Sequence, residues 1–310
     1  MKQIIHPIDK KILEKELSED KFLRKTNYGN NKIYIVTSHN APNVMLEIGR
    51  LRELTFREAG GGTGKEVDID EFDTMKDPYI QLIVWDPDHK EILGGYRYFD
   101  CSKIDIKEDI KKLATAELFH FSDTFLKNYM PYTIELGRSF VQPQYQSTRS
   151  RKVLFALDNL WDGLGAIVIQ NKNIKYFFGK VTMYTHYNQH ARDYVLFFLN
   201  KYFGDKDNLV KPIHPLKITT PEAELNKIFS TGNYDTDYKI LSQRVRSLGE
   251  NIPPLINSYM NISPTMKMFG TALNPTFGMV EESGIMVTIA DIYQAKAERH
   301  ISSYFKEKQN

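Results

Sequence analysis

The 310-residue sequence contains a single cysteine, Cys101, and no long run of apolar residues. One cysteine excludes a disulfide within the chain and any CxxC metal or redox site, and we predict an ordinary buried thiol here. The most apolar stretch, 153–170, is interrupted by Asp158 and Asp162, so it is too short and too polar to cross a bilayer. The charged N-terminus lacks the apolar core of a secretory signal. We expect a cytoplasmic protein, with a peripheral contact on the inner membrane face left open.

The sequence also lacks an excess of charge of one sign. Its 41 Lys and Arg residues nearly balance 39 Asp and Glu residues, which leaves a net charge of +2. This balance does not indicate a nucleic-acid partner, and none is predicted. Aromatic residues, by contrast, are abundant at 12%, with 18 Tyr and 18 Phe. Most of these rings are expected in the core, and a subset would suit a groove for an apolar ligand.

Several catalytic and metal-binding signatures are absent. The sequence has no GxSxG elbow, no HExxH motif and no HxxxxD element. The run GGGTGK at 60–65 lacks the full GxxxxGK[ST] pattern and follows a predicted helix, so it is not a phosphate-binding P-loop. His186 and His190 are four residues apart but have no identifiable third ligand. The acidic segment 66–73 does not have the register of a calcium loop. No metal is therefore predicted.

Hydrophobic periodicity and polar breaks divide the chain into a charged helical arm at 1–30, a domain at 31–205 and a C-terminal subdomain at 206–310. Strands are predicted at 32–37, 80–85, 92–98, 132–142, 177–184 and 285–289. Helices are predicted at 43–58, 105–130, 150–164, 189–203 and 291–306, the last with Asp291 as its N-cap. The turn sequence 86–89 joins two of the strands into an antiparallel hairpin. Strands that alternate with helices around a hairpin indicate an α/β fold with a mixed sheet.

Charged side chains are concentrated in three places. The segment 66–73 contains five carboxylates in eight residues, which is costly unless cations neutralise them. Arg97 ends the second hairpin strand, and Glu135 and Arg138 lie together on the next strand. Carboxylates can bind or deprotonate an amine, and arginines can hold a carboxylate or phosphate in bidentate fashion. A solvated acidic loop is the alternative for 66–73.

The strand at 132–142 poses a problem of geometry. Because side chains alternate between the faces of a strand, Glu135 and Gly137 share one face and Arg138 points to the other. A glycine inside a strand often marks a bulge or a bend. An irregularity at Gly137 would allow Glu135 and Arg138 to act in one site.

Taken in order, these motifs resemble two related families. The ordered set is RELTF at 52–56, DEFD at 70–73, GGYR at 94–97 and ELGRS at 135–139. It is similar to the acyl-homoserine lactone synthases and to the ornithine-lipid-type N-acyltransferases, which are often labelled hemolysin-like. Two blocks favour the second family, LWDGLGA at 160–166 and YFFG at 176–179. The resemblance covers roughly 45–205.

This resemblance implies a GNAT-like acyltransferase domain at 31–205, with a mixed, mostly antiparallel sheet flanked by helices and a C-terminal α+β extension. The implied activity is transfer of a (3-hydroxy) fatty acyl group to the α-amine of an amino acid, in synthesis of a glycine- or ornithine-lipid. The implied donor is acyl-acyl carrier protein or acyl-CoA, so the partners are the carrier protein and the acceptor amino acid, with no bound cofactor. The alternatives are an acyl-homoserine lactone synthase and a non-enzymatic protein that associates with lipids or membranes.

The resemblance also implies roles for individual residues. The catalytic set is Glu135, as base or amine-orienting group, with Arg97 and Arg138. The substrate-binding set is Arg52, Phe56, Asp70 and Asp73. The set expected to bind the phosphopantetheine arm and its carrier is Ser139, Val141, Arg149, Arg151 and Lys152. For the last three, a solvated basic turn is the alternative. One departure is Gln142, which stands where the N-acyltransferases have histidine in an HPxYR block.

Overall fold

The computed structural model describes residues 1–105, 110–146 and 151–304, with the side chains of 151–157 excepted. The strands are β1 Phe22–Lys25, β2 Lys32–Val36, β3 Ile80–Asp86, β4 Glu91–Asp100, β5 Phe119–Phe121, β6 Thr133–Val141, β7 Tyr176–Met183, β8 Val210–Pro212, β9 Lys267–Asn274 and β10 Val280–Thr288. The helices are α1 Lys10–Glu16, α2 Pro42–Glu58, α3 Glu71–Thr74, α4 Asp123–Asn128, α5 Arg151–Gln170, α6 Gln189–Phe203, α7 Glu222–Ile228, α8 Tyr234–Ser247, α9 Pro254–Met260 and α10 Gln294–Ala297. A π-helical turn, Glu298–Ser302, continues α10.

An eight-stranded sheet organises the fold, in the order β1-β2-β3-β4-β6-β7-β10-β9. Neighbouring strands are antiparallel except β6 and β7, which are parallel. Strands β5 and β8 form a separate two-stranded ribbon. The expected α/β fold, with a mixed and mostly antiparallel sheet flanked by helices, is confirmed.

The main sheet runs across both predicted boundaries. Residues 1–30, predicted as a helical arm, contain α1 and the edge strand β1, which pairs with β2. From the C-terminal part, β10 pairs with β7 and β9 pairs with β10. The C-terminal residues therefore complete the sheet that holds the polar motifs, and the division into three parts stays a prediction.

The single helix predicted over 105–130 is wrong, because among its described residues only Asp123–Asn128 form an α-helix; residues 106–109 lie outside the described part. Phe119 pairs with Pro212 in the β5–β8 ribbon. The Ser122 hydroxyl then accepts a hydrogen bond from the Phe125 amide and begins the short helix α4. A pairing with a distant strand thus overrides the local helical pattern.

The last predicted helix begins later than expected. Asp291 is not its N-cap, because the chain makes a 3-10 turn at Ile289–Asp291 and α10 starts at Gln294. The Asp291 carboxylate instead accepts a hydrogen bond from the Thr265 hydroxyl at 2.5 Å. This contact ties the loop before α10 to the segment that enters β9.

The core lies on both faces of the sheet because strand side chains alternate. On one face, Leu82 of β3 packs in a cluster with Leu160 and Leu164 of α5. On the other, Ile83 packs with α2 residues such as Ile48. Within the part of the chain that is described, no helix has the length and apolarity required to cross a membrane.

Substitution of Gly165 with alanine is expected to destabilise the fold by about 1–3 kcal/mol, as overpacking of a tight contact does. A Cβ at this position in α5 would stand 2.1 Å from the carbonyl oxygen of His300, so the C-terminal helix would have to move away. Urea unfolding measures the effect. The control is Gly137→Ala, where the new Cβ has ordinary 3.6 Å contact with Arg97 and should leave stability nearly unchanged. Equal losses in both variants would contradict the expectation.

Candidate active site

Strand β6 is irregular at the position where the sequence predicts it. Gly95 is registered with Phe140 and Arg97 with Gly137, so Arg138 and Ser139 together oppose the single residue between them on β4. Two residues opposite one define a β-bulge. Arg138 has a φ of 49°, in the left-handed region that residues other than glycine rarely occupy. The bulge turns Arg138 towards the sheet face that carries Glu135 and Gly137, as expected.

Beyond the bulge, β6 separates from its parallel neighbour. The register of β6 with β7 runs from Thr133–Tyr176 to Leu136–Gly179 and stops there. Among the residues that the structure describes, 137–141 have no registered partner on the β7 side. A strand edge without a partner strand leaves backbone N–H and C=O groups open to a ligand, although the Val141 carbonyl already accepts a 2.6 Å hydrogen bond from the Gln146 side chain.

The acidic segment and the arginines form one ion-pair network centred on Asp73. This carboxylate lies 3.0 Å from Arg52 and 3.3 Å from Arg97. It also accepts a 3.0 Å hydrogen bond from the Gln81 amide. A capping box at the start of α3, formed with Asp70, holds Asp73 in place.

Asp68 and Asp70 extend the network to the bulge. Asp70 lies 2.6 Å from Arg97 and 3.4 Å from Arg138, so it connects the two arginines. Asp68 lies 2.8 Å from Arg138. Asp68 and Asp73 are both fully buried. The alternative of a solvated acidic loop is therefore wrong for these two residues, and the arginines neutralise the crowded carboxylates.

Electrostatics keep the centre of this network ionised. Burial opposes the charge on Asp73, yet the guanidinium groups of Arg52 and Arg97 hold the pKa of this carboxyl well below its usual range. Burial likewise opposes the charge on Arg97, but Asp73 and Asp70 raise the pKa of its guanidinium. Asp73 and Arg97 are thus fixed charges and are unsuited to proton transfer near neutral pH.

Glu135 lies on the same sheet face but in a separate cluster. It is buried and accepts hydrogen bonds from the Tyr79 hydroxyl and from the Thr115 amide, the latter at 2.8 Å. Burial raises the pKa of Glu135 above its ordinary value. The Tyr79 ring, whose centroid is 5.1 Å from the Arg97 guanidinium, separates Glu135 from the ion-pair network. Sequence order did not indicate this separation.

Phe56 contacts the bulge residue Arg138 only indirectly, through Phe277. Its ring packs edge-on against Phe277, with the centroids 5.1 Å apart. The Arg138 guanidinium lies 4.2 Å from the centroid of Phe277, within the range of a cation–π contact. Phe56 therefore packs against Phe277, and Phe277 in turn contacts Arg138.

A second buried ion pair on this face was missed by the sequence reasoning. Lys180 of β7 lies 2.9 Å from Glu282 of β10. The signal was weak, because each residue reads as an ordinary charged position until the β7–β10 pairing is known. Tyr79, Gln81 and Thr115 were also missed, since their roles depend on contacts with distant segments.

The residues predicted to bind the acyl carrier are only partly within the described structure. Ser139 lies in the bulge and Val141 ends β6, both partly buried. Arg149 lies outside the described residues. Arg151 and Lys152 begin α5, but their side chains lie outside the described part. Their proposed role stays a prediction.

Other sequence features have structural explanations. Cys101 is buried, and burial raises the pKa of its thiol, as expected for an unreactive cysteine. In the glycine-rich loop, the Thr63 and Gly64 amides donate to the Glu53 carboxylate at 3.0 and 2.8 Å, so the loop is held by the protein itself. Across the described ranges, no three His, Cys, Asp or Glu side chains are grouped as metal ligands.

Comparison with known proteins identifies the family. A model of the acetyltransferase (GNAT) domain matches residues 51–156. Over 309 residues, the chain is 57% identical to a protein named glycine N(alpha)-acyltransferase from Phocaeicola vulgatus, covering 99% of this chain and 95% of the relative. It is 56% identical over 308 residues to a protein of the same name from Bacteroides thetaiotaomicron, covering 99% and 91%.

Among solved structures, a CoA-dependent acyl-homoserine lactone synthase, BjaI, bound to MTA, aligns with a TM-score of 0.39 at 11% identity, covering 89% of each chain. The family model and the relatives confirm the expected acyltransferase and do not favour a homoserine lactone synthase or a non-enzymatic protein. The chain therefore belongs to the family of these glycine Nα-acyltransferases and is an N-acyltransferase with a GNAT domain.

Proposed function

We propose that this enzyme transfers a 3-hydroxy fatty acyl group from acyl carrier protein to the α-amine of glycine, in the synthesis of an aminolipid. The observation that carries the proposal is the 57% identity, over 99% of the chain, to a relative named for glycine N-acylation. The resemblance to ornithine-lipid-type enzymes supports the fatty acyl group and the lipid product. Ornithine is the second candidate acceptor.

The proposed chemistry is direct attack of the amine nitrogen on the thioester carbon. A C–N bond forms and the C–S bond breaks, and the phosphopantetheine sulfur leaves as a thiolate that takes the second proton lost by the nitrogen. Glu135 takes the proton that the ammonium must lose before it attacks. Its buried position supports this role, because the raised pKa makes Glu135 a stronger base than a solvated glutamate. No enzyme nucleophile is required, which agrees with the inert surroundings of Cys101.

The bulge of β6 supports the second part of the mechanism. In this proposal, backbone N–H groups on the open edge of 137–141 stabilise the oxyanion of the tetrahedral intermediate. The gap between β6 and β7 then receives the extended phosphopantetheine arm. Arg97 and Arg138 maintain this geometry through Asp70, which contacts both. In this proposal Arg52, Phe56, Asp70 and Asp73 order the arginines around the acceptor.

The donor site is assigned to the residues that follow the bulge. Ser139 and Val141 border the open edge, and α5 begins shortly afterwards at Arg151. A helix N-terminus favours a phosphate, and basic residues favour the acidic surface of a carrier protein. Arg149, Arg151 and Lys152 would serve both purposes. Acyl-CoA carries the same arm and is the alternative donor.

A direct assay tests this function. Purified enzyme is incubated with 3-hydroxyacyl carrier protein and glycine, and products are analysed by mass spectrometry. We expect an N-(3-hydroxyacyl)glycine, with lower yields when acyl-CoA replaces the carrier protein or when ornithine replaces glycine. Absence of an acylated product with every donor and acceptor would overturn the proposal. A product with ornithine alone would transfer the assignment to that acceptor.

A further inference from the structure

Lys180 and Glu282 lie where β6 and β7 separate. Lys180 directly follows Gly179, the last β7 residue registered with β6. It shares the sheet face of Phe178, which is registered with Glu135 on β6. Glu282 is registered with Thr182, two residues further along β7, and so lies on the same face. The ion pair therefore borders the gap into which a thioester would enter.

The two side chains form a nearly dry ion pair. Their charged atoms are 2.9 Å apart, and only 11% of the Lys180 side chain and 4% of the Glu282 side chain are exposed. Glu282 also accepts hydrogen bonds from Asn274 at 2.9 Å and from Thr182 at 3.3 Å. A buried ion pair gains little stability over an apolar pair of similar volume, because desolvation offsets the attraction. Its position beside the gap suggests a role in binding.

Both members of the pair are electrostatically coupled to the groups described above. Burial opposes ionisation of Glu282, but Lys180 and, more weakly, Arg138 bring its pKa below the ordinary value. The charge of Lys180 also acts on Glu135, where it opposes the upward shift in pKa that burial causes. Glu282 thus stays an anion that can hold a cation, whereas Glu135 is suited to accept a proton.

We propose that Lys180 and Glu282 bind the acceptor amino acid as a zwitterion, Lys180 its carboxylate and Glu282 its ammonium group. This assignment rests on the proposed function and names the residues that recognise the acceptor. An α-amino acid carries its ammonium and carboxylate groups on the same carbon atom, so its dipole can lie antiparallel to the Lys180–Glu282 dipole. Each charge then faces its opposite, and the ion pair need not open. Glu282 delivers the ammonium to Glu135, which removes the proton.

The proposal first predicts how the unmodified enzyme selects its acceptor. With one acyl donor, glycine is compared with glycinamide, which keeps the amine but lacks the carboxylate. We expect kcat/KM to be about 100-fold lower for glycinamide, because its neutral amide cannot replace the charge-assisted contact between the glycine carboxylate and Lys180. The amine of glycinamide is less basic and more often neutral, so protonation cannot explain a lower rate. Equal kcat/KM values for the two acceptors would overturn the proposal.

Lys180→Met tests the residue itself. We expect kcat/KM for glycine to fall about 100-fold, mainly through KM, while the value for glycinamide stays within a few-fold. The preference for glycine should therefore disappear. The matched control is Lys201→Met, which removes a lysine paired at 2.9 Å with the buried Asp237, away from the β6–β7 gap. A lost preference in the control, or a kept preference in Lys180→Met, would contradict the assignment.

A reversed pair separates binding from structural support. The double variant Lys180→Glu, Glu282→Lys keeps an ion pair but reverses its dipole. If the pair only supports the fold, this variant should recover glycine turnover; if it binds the zwitterion, turnover should stay low although thermal unfolding shows a folded protein. Should the reversed variant not fold, the glycine–glycinamide comparison on the unmodified enzyme decides. If the unmodified enzyme acylates no acceptor at all, that result contradicts the proposed function, whereas equal rates with glycine and glycinamide contradict only the acceptor site proposed here.

Discussion

Replacement of Glu135 by glutamine is expected to lower kcat/KM for glycine acylation by about 100- to 10,000-fold, the usual contribution of a positioned general base. Glutamine has a similar size and keeps an oxygen that can accept from the Tyr79 hydroxyl. It has no capacity to take a proton, so only the small fraction of neutral amine would react. Steady-state kinetics with a fixed acyl donor measure the loss.

The pH profile makes this test specific. Burial raises the pKa of Glu135, so activity of the unmodified enzyme should fall on the acid side at a higher pH than for an ordinary glutamate, and level off above that pKa. In Glu135→Gln, activity should instead rise about tenfold per pH unit up to the amine pKa, because only neutral amine reacts. A profile identical to that of the unmodified enzyme would remove Glu135 as the base.

A matched control is Glu281→Gln. Glu281 is also buried on a strand of the same sheet, and burial raises its pKa as well. Its carboxylate, however, pairs with Arg192 of α6 at 2.7 Å and not with the residues around the bulge. This control should keep kcat/KM within a few-fold. Equal losses in the two variants would mean that the Glu135 effect reflects structural damage and not lost base catalysis.

Local patterns in the sequence predicted much of this site. The hairpin of β3 and β4 follows from its turn residues, although β4 continues to Asp100 and therefore holds Arg97 in its interior and not at its end. Gly137 correctly marked the irregular part of β6, since glycine weakens regular strand pairing. The crowding of carboxylates at 66–73 correctly indicated neighbouring cations. Each of these inferences depends on a short segment and on a general rule of charge or conformation.

What could not be predicted depends on the register between distant segments. Alternation assigns Lys180 to one of two faces, but only the pairing of β7 with β10 brings it to Glu282. Glu135 was expected to join the arginine network, whereas the intervening ring of Tyr79 places it in a separate cluster. The helix predicted across Phe119 is wrong for the same reason, because Phe119 pairs with Pro212 of β8 in the C-terminal part of the chain. Tertiary pairing decides all three cases.

Asp73→Asn is expected to reduce the free energy of unfolding by about 3–5 kcal/mol, the cost of leaving a buried charge without its partner. Arg52 is fully buried and Asp73 is its only carboxylate contact at 3.0 Å among the described ion pairs. Urea unfolding near neutral pH measures the loss. Asp70→Asn is the comparison, because that side chain is 24% exposed and water can replace part of its contact with Arg97. It should cost about 1 kcal/mol.

The loss in the free energy of unfolding caused by Asp73→Asn should depend on pH, in a direction that follows from the pKa of Asp73. The two arginines depress the pKa of Asp73 in the folded protein, so its stabilising contribution is present above the unfolded pKa and is lost as pH falls through the folded value. The difference between the unmodified protein and Asp73→Asn should therefore shrink in acid. Adding Arg52→Met to Asp73→Asn should cost less than the sum of the single changes by about 0.5–3 kcal/mol, since the orphaned cation is then gone. Additive costs would show that Asp73 stabilises the fold by some means other than neutralising Arg52.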